Sequence, residues 1–303
     1  MKNVIYSFYI DIEPNNSKHI NTKNKLKSYY SDLLNVKKDY AKKCNAEFIM
    51  FGQDEVYDKF KSKYNLYEFD TLNFYKHFLY ENLFEKYDNI LYLDFDVIPN
   101  TNQSFFEEFD MSKINVRSVN STVENTWHEN ALFQRNEKRK TYDYIIDKHF
   151  DKYSMYIKAL AKQSMLFVND IYDVTYEVIN TGIICASSKQ LKKIQLMSNL
   201  NNLIDLLNKS KNEEYFGNTI SSLYEPNNET FFTFLLEKNN IEWNNLPKTW
   251  HDMIMENDNV TNSKILHVIN KKFEGYFKWV LKFVQYILKE NTHLTMLKNY
   301  TIV

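Results

Sequence analysis

Two carboxylates one residue apart close an apolar run. In NILYLDFDVIPN, residues 89–100, Asp94 and Asp96 flank Phe95. On a strand, side chains at i and i+2 share a face, so the pair is expected side by side with Phe95 opposite. Adjacent anions repel unless something positive separates them. A proton shared by the pair or a divalent cation meets that need, because buried carboxylates persist only when neutralised, paired or coordinated. Gly182, within EVINTGIICASS, stands where a strand pattern favours a side chain. An interior strand glycine marks the close approach of a ligand or of another backbone, or else a bulge.

The elements that must carry these residues follow from periodicity. VIYSFYI (4–10) and AEFIMFG (46–52) read as buried strands, separated by a helical, mixed-charge stretch over 21–45. FDTLNFYKHFLYENLFEKYD (69–88) repeats Phe74, Phe78 and Leu79, then Leu83 and Phe84, at about one helical turn, and the Asp94/Asp96 strand follows it. Strand, helix, strand, helix, strand reads as βαβ units and a parallel sheet. Ligands bind such sheets at the carboxyl ends of strands, where Asp94 and Asp96 lie. Further on, the spacing predicts a helix over 142–162, a strand over 177–188, a helix over 228–239, a loop over 246–253, a strand over 264–270 and a closing helix over 275–291.

With 303 residues, 44% hydrophobic and 16% aromatic, the chain can build a large core. Lys+Arg 38 against Asp+Glu 39 leaves a net charge of -1, which removes the electrostatic argument for a nucleic-acid partner. Cys44 and Cys185 form no disulfide framework, and the start MKNVIYSFYIDIEP meets an acidic residue too early for a signal peptide, so a reducing, cytoplasmic setting is expected. Only four glycines occur; Gly52, Gly182, Gly217 and Gly275 are therefore candidates for positions that need one. No apolar stretch reaches the ~20 residues of a membrane span. In the closing helix, Phe277, Val280, Leu281, Val284 and Leu288 share a stripe interrupted by lysines, which suits packing on the domain or peripheral contact with an anionic membrane. One continuous domain is expected.

The patches KYDNILYLDFDVIPN (86–100), VINTGIICAS (178–187), NNETFFTFLL (227–236), YAKKCNAEFIMFG (40–52) and the late His267, taken in order, resemble nucleotide-sugar glycosyltransferases of the GT-A fold, especially the retaining, glycogenin-like kind. The resemblance implies a Rossmann-like α/β domain over 1–272 with a mixed, mostly parallel central sheet flanked by helices. Its nucleotide-binding half would be 1–100 and its acceptor half 101–272, with 273–303 a helical extension packed on it. It implies sugar transfer, with retention, from a nucleotide sugar, a UDP-sugar by preference, to a glycan, glycoprotein or lipid-linked acceptor. Asp94, Asp96 and His267 would hold Mn²⁺ or Mg²⁺ against the diphosphate. Lys76 and Lys272 would reach the phosphates or ribose, Asn180 and Gly182 would line the donor-sugar pocket, and Glu229 would lie on the reactive face.

The residues have plainer readings too. His267 can be an ordinary strand histidine, Glu229 a helix-start carboxylate that complements the dipole, and Lys76 a surface lysine. Departures from the resembled pattern are visible: Asn228 stands where an aspartate is usual, and HVINKKFEG places its lysines early. In the tract 101–174, Arg117, Trp127, His128 and Arg135 are candidates for acceptor contacts. Two other functions compete. A phosphatase resembling the haloacid dehalogenase superfamily would use Asp94 as nucleophile, but its motif usually opens the chain and needs a later aspartate pair. A non-catalytic sugar- or nucleotide-binding module would keep the fold and drop the chemistry.

Overall fold

The computed structural model of the chain describes residues 1–11, 17–64, 68–120, 157–171, 175, 177–211, 224–254, 262–269 and 271–273. Trp127, His128, Arg135, Gly217, Gly275, most of the helix expected over 142–162 and the closing helix lie outside them.

The first half alternates as expected: β1 (Asn3–Phe8), α1 (Ser17–Ser28), α2 (Tyr30–Lys43), β2 (Glu47–Phe51), α3 (Glu55–Lys63), α4 (Glu68–Leu83) and β3 (Asn89–Leu93). The stretch 21–45 is two helices, not one, because Tyr29 leaves helical geometry at φ -107 and ψ 15. Helix α3, which periodicity does not reveal, is started by Asp54, whose carboxylate accepts from the amides of Val56 (3.0 Å) and Tyr57 (3.1 Å).

The chain then forms β4 (Val97–Pro99), β5 (Ile114–Asn120), α5 (157–167), β6 (Glu177–Ser187), α6 (Leu200–Ser210), α7 (Asn228–Lys238), β7 (Trp243–Asn245), β8 (Asp252–Met253) and β9 (Ile265–His267). A six-stranded sheet runs β2-β1-β3-β6-β5-β7 and a small sheet runs β4-β9-β8. In the large sheet only β6 is antiparallel to its neighbours, β3 and β5; the other pairings are parallel. The mixed, mostly parallel sheet flanked by helices is the architecture expected. The segment 246–253 is more ordered than a loop, since it contains a 3-10 turn at Lys248–Trp250 and β8.

Three apolar clusters hold these layers. The largest packs α3, α4, α6 and α7 on one face of the sheet, and a second packs Tyr40 and Ala41 of α2 with Trp250 against the other. The third lies under the small sheet and contains Phe95, Ile98, Ile254, Leu266, Val268 and Phe273 with Leu33 of α2. Phe95 seats there against the rings of Tyr9 and Tyr30, with centroids at 5.0 and 5.3 Å. Burying one such ring stabilises by about 1.5–3 kcal/mol, and it draws the chain between Asp94 and Asp96 inward.

Candidate active site

Asp94 and Asp96 do not lie on a strand. Strand β3 ends at Leu93, and Asp94-Phe95-Asp96 is a turn, closed by the Val97 amide donating to the Asp94 carbonyl at 3.0 Å. The expected strand pairing of the two side chains is therefore corrected: a turn, with Phe95 anchored beneath it, brings the carboxylates together. The turn is fixed on both sides. The Asp94 amide donates to the Gly182 carbonyl of β6 (2.8 Å), and the Asp96 carbonyl accepts from the Val268 amide just after β9 (3.1 Å).

Lys37 on α2 supports the turn from below. Fully buried, its ammonium donates to the carbonyls of Phe95 (2.8 Å), Val97 (2.7 Å) and Leu33 (3.4 Å), which uses its three protons. No sequence reading singled it out, yet it sits with Leu33, Tyr40 and Ala41 on the buried stripe of α2, where a lysine is a visible anomaly. Burial pulls its pKa down to about 7, opposed by Asp96 and Asp94. Between that value and the usual lysine range the unfolded chain holds a proton that the folded chain has released. The folded protein is thus expected to gain stability, by a few kcal/mol, as pH rises from about 7 towards 10. Urea midpoints of wild type and Lys37→Met over that range test this: the wild-type midpoint should climb relative to the variant, and parallel curves would contradict it.

Around the turn, the carboxylates meet nitrogen. His267 places Nε2 3.7 Å from Asp94 and 3.4 Å from Asp96. One ligand atom from each of the three residues lies within 4.8 Å of the others, and the group is the metal-ligand cluster found among the described residues. Two carboxylate oxygens and an imidazole nitrogen suit Mn²⁺, and Mg²⁺ less fully. Tyr92 donates its hydroxyl to Asp94, and Lys76 bonds the same oxygen at 3.1 Å. Lys76 is buried, not a surface lysine, and its other contacts are the carbonyl (3.2 Å) and hydroxyl (3.4 Å) of Thr181. Lys271 reaches Asp96. A left-handed backbone at Lys271, φ 56, turns that side chain inward, while Lys272 is exposed beside it. Burial pushes the Asp96 pKa up, but Lys271 and His267 outweigh it and hold the carboxyl below its usual range.

Gly182 is required by His267. A Cβ there would stand 2.3 Å from Cε1 and 2.7 Å from Nδ1 of the His267 ring, and 3.0 Å from Oδ1 of Asn180. The space that the glycine leaves is taken by a ring of the protein itself. At Gly52, by contrast, a Cβ would meet nothing within 4 Å.

Beside this cluster lies a second one. Asn180 accepts from the Gly182 amide (2.9 Å) and donates to Glu229 (3.1 Å). The same Glu229 oxygen accepts from the Thr181 amide (3.3 Å), and the other pairs with Lys158 of α5 at 2.6 Å. Asn227 caps α7 by accepting from the amides of Glu229 (2.9 Å) and Thr230 (3.4 Å), which aims Glu229 at β6. Lys158 was not anticipated, since nothing local distinguishes it from other lysines. Asn228 faces inward: its amide donates to the Thr181 hydroxyl (2.6 Å) and lies 3.4 Å from Nε2 of His77. Burial, with Lys76 nearby, pushes the His77 pKa well below its ordinary value, so its ring is neutral and offers a lone pair. An amide satisfies both neighbours, which accounts for asparagine at a position where the resembled pattern has aspartate. Arg117, a candidate for acceptor contacts, donates to the His251 carbonyl.

No protein-family model matches the chain, and no curated protein matches it. Among solved structures it is similar to the crystal structure of mouse xyloside xylosyltransferase 1 in its apo form, at 13% identity over 89% of this chain and 98% of that one, with a TM-score of 0.46. It is also similar to a glycosyltransferase involved in glycosylation of the major capsid of PBCV-1, at 11% identity over 88% of this chain and 93% of that one, with a TM-score of 0.43. The galactosyltransferase LgtC in complex with donor and acceptor sugar analogs matches at 11% identity over 88% and 87%, with a TM-score of 0.41. Likenesses of this strength leave the roles of individual residues to the geometry above.

Proposed function

We propose that the chain is a metal-dependent glycosyltransferase that takes a sugar from a UDP-sugar and passes it to a carbohydrate-bearing acceptor. The observation that carries this reading is the convergence of Asp94, Asp96 and His267 at the carboxyl end of β3, with the Asn180 and Glu229 cluster beside them. Bound by those three residues, Mn²⁺ or Mg²⁺ supplies Lewis-acid stabilisation of the charge that gathers on a departing nucleoside diphosphate. The chain's own groups do the rest. Lys76 and Tyr92 fix Asp94, Lys37 and Phe95 fix the turn, and Lys271, partly exposed, is the ammonium best placed to meet a phosphate. The nucleotide-binding half is 1–100 and the acceptor half 101–272.

Glu229 faces β6 with three donors on its oxygens, from Asn180, Thr181 and Lys158. Three of roughly four acceptor sites are thereby used. A carboxylate so held suits a fixed anion that steadies positive charge on a sugar ring better than a group that must collect a proton, and retention of configuration follows in this reading. The phosphatase alternative is disfavoured by Asp94 itself: one of its oxygens accepts from both Tyr92 and Lys76 and the other faces His267, leaving it poorly set for attack.

Melting curves with UDP and UDP-sugars, each with and without Mn²⁺, test the proposal. A ligand at 100 times its Kd adds about 2.7 kcal/mol to the native state, or roughly 5 °C in Tm for a chain of this size. The expected result is a shift that needs nucleotide and Mn²⁺ together and disappears with a chelator. Equal shifts with and without metal would count against metal dependence, and no shift with any nucleotide would count against the transferase.

A further inference from the structure

A cavity of about 480 Å³ beside Lys2 and Glu47 lies at the amino end of the sheet, away from Asp94 and Asp96. His251, in the turn before β8, is fully buried, and its Nε2 lies 3.0 Å from Nδ1 of His267, with the two rings stacked at 5.3 Å and 26°. Its other nitrogen, Nδ1, is buried with no hydrogen-bond partner among the described residues. Its backbone is tied down as well: its carbonyl accepts from Arg117, and Met253, two residues on, pairs with His267 across β8 and β9.

When both rings are neutral, two imidazoles in contact share one hydrogen bond, and its direction decides which face of His267 carries a lone pair. If His251 donates, His267 holds its proton on Nε2 and turns an N–H towards Asp94 and Asp96. If His251 accepts, the proton of His267 sits on Nδ1 and Nε2 presents a lone pair to the same place. A carboxylate, carbonyl or water usually orients a ligating histidine from behind; here the second position is filled by another histidine.

We propose that His251 is a positioning residue for His267, whose Nε2 accepts the Nδ1–H of His267 and so fixes the ring and tautomer that direct the Nε2 lone pair to a divalent cation at Asp94 and Asp96. This rests on the reading of Asp94, Asp96 and His267 as cation ligands. With Nε2 of His251 accepting, the proton of His251 sits on Nδ1, the buried nitrogen that has no partner among the described residues.

The test is Mn²⁺ binding, followed by loss of the free-ion electron paramagnetic resonance signal, in wild type, His251→Gln, His251→Phe and Asp96→Asn, each with its melting curve. Glutamine keeps an acceptor, and phenylalanine keeps a ring without one. The expected result is a loss of affinity of about 10–100-fold for His251→Phe, with His251→Gln within a few fold of wild type. If His251→Phe binds Mn²⁺ like wild type while Asp96→Asn does not, the positioning role is overturned and the cation site stands. If Asp96→Asn also binds like wild type, the cation reading falls and this proposal with it. Should His251→Phe fail to fold, imidazole ¹⁵N spectra of the wild-type protein with Zn²⁺ as a diamagnetic probe decide the matter. A proton on Nδ1 of His267 supports the proposal, and a proton on its Nε2 overturns it.

Discussion

Asp96→Asn is expected to abolish Mn²⁺-dependent binding of UDP while leaving the chain folded. Loss of residues that only orient metal ligands costs about 10–100-fold, so loss of a ligand should exceed about 100-fold, or roughly 3 kcal/mol. The fold should survive because the partners of Asp96 have elsewhere to go. Lys271 is partly exposed and can turn to solvent, His267 keeps its bond to His251, and the turn is held by Lys37 and Phe95 through backbone and ring contacts that the side chain of Asp96 does not enter. Calorimetric titration of UDP in Mn²⁺, with a melting curve as control, reads both halves. Wild-type affinity in the variant would remove Asp96 from the site.

Gly182→Ala is expected to have an effect of similar size by a steric route. A methyl group 2.3 Å from Cε1 of His267 cannot be accommodated, and the ring must move by more than about 1 Å to restore ordinary contact. That movement breaks the alignment of Nε2 with both carboxylates and strains the bond to His251. A loss of Mn²⁺ affinity of at least about 10-fold is expected, together with about 1–3 kcal/mol of overpacking. The discriminating measurement is a double-mutant cycle. In the His267→Ala background the added methyl should cost little stability, because its clash is with that ring; an unchanged cost would point to the backbone instead.

The features legible in the sequence were those with a local signature. Strands β1, β2, β3 and β6 are long apolar runs, the helix over Asn228–Lys238 starts at a polar cap, and Gly182 stands out in a strand from a chain with four glycines. Asp94 and Asp96 stand out by type and spacing, His267 joins them only through the family resemblance, and the structure brings the three together. The turn at Asp94–Asp96 was hidden, because a burial pattern that continues through ILYLDFDVI hides the passage from one sheet to the other. The small sheet was also hidden, since strands of two or three residues carry no period. Lys158 and His251 act through partners 71 and 16 residues away, a relation that no spacing within one element encodes. The contact of Lys271 with Asp96 has no local signature either, because the left-handed backbone at Lys271 is set by the loop and not by residue type.

The order of the large sheet bears on how the molecule is made. Strand β3 is buried along its whole length, and the partner on its open side is β6, which begins at Glu177, far along the chain. A nascent chain that has emerged only through β3 therefore presents NILYL as a bare, apolar strand edge, the kind of template that pairs with other chains. Pairing across such a separation is slow to form because the intervening loop must first be closed. Synthesis of the middle of the chain is thus the interval in which this protein is most exposed to misassembly, and the pairing that ends it also delivers Gly182 to the Asp94 amide.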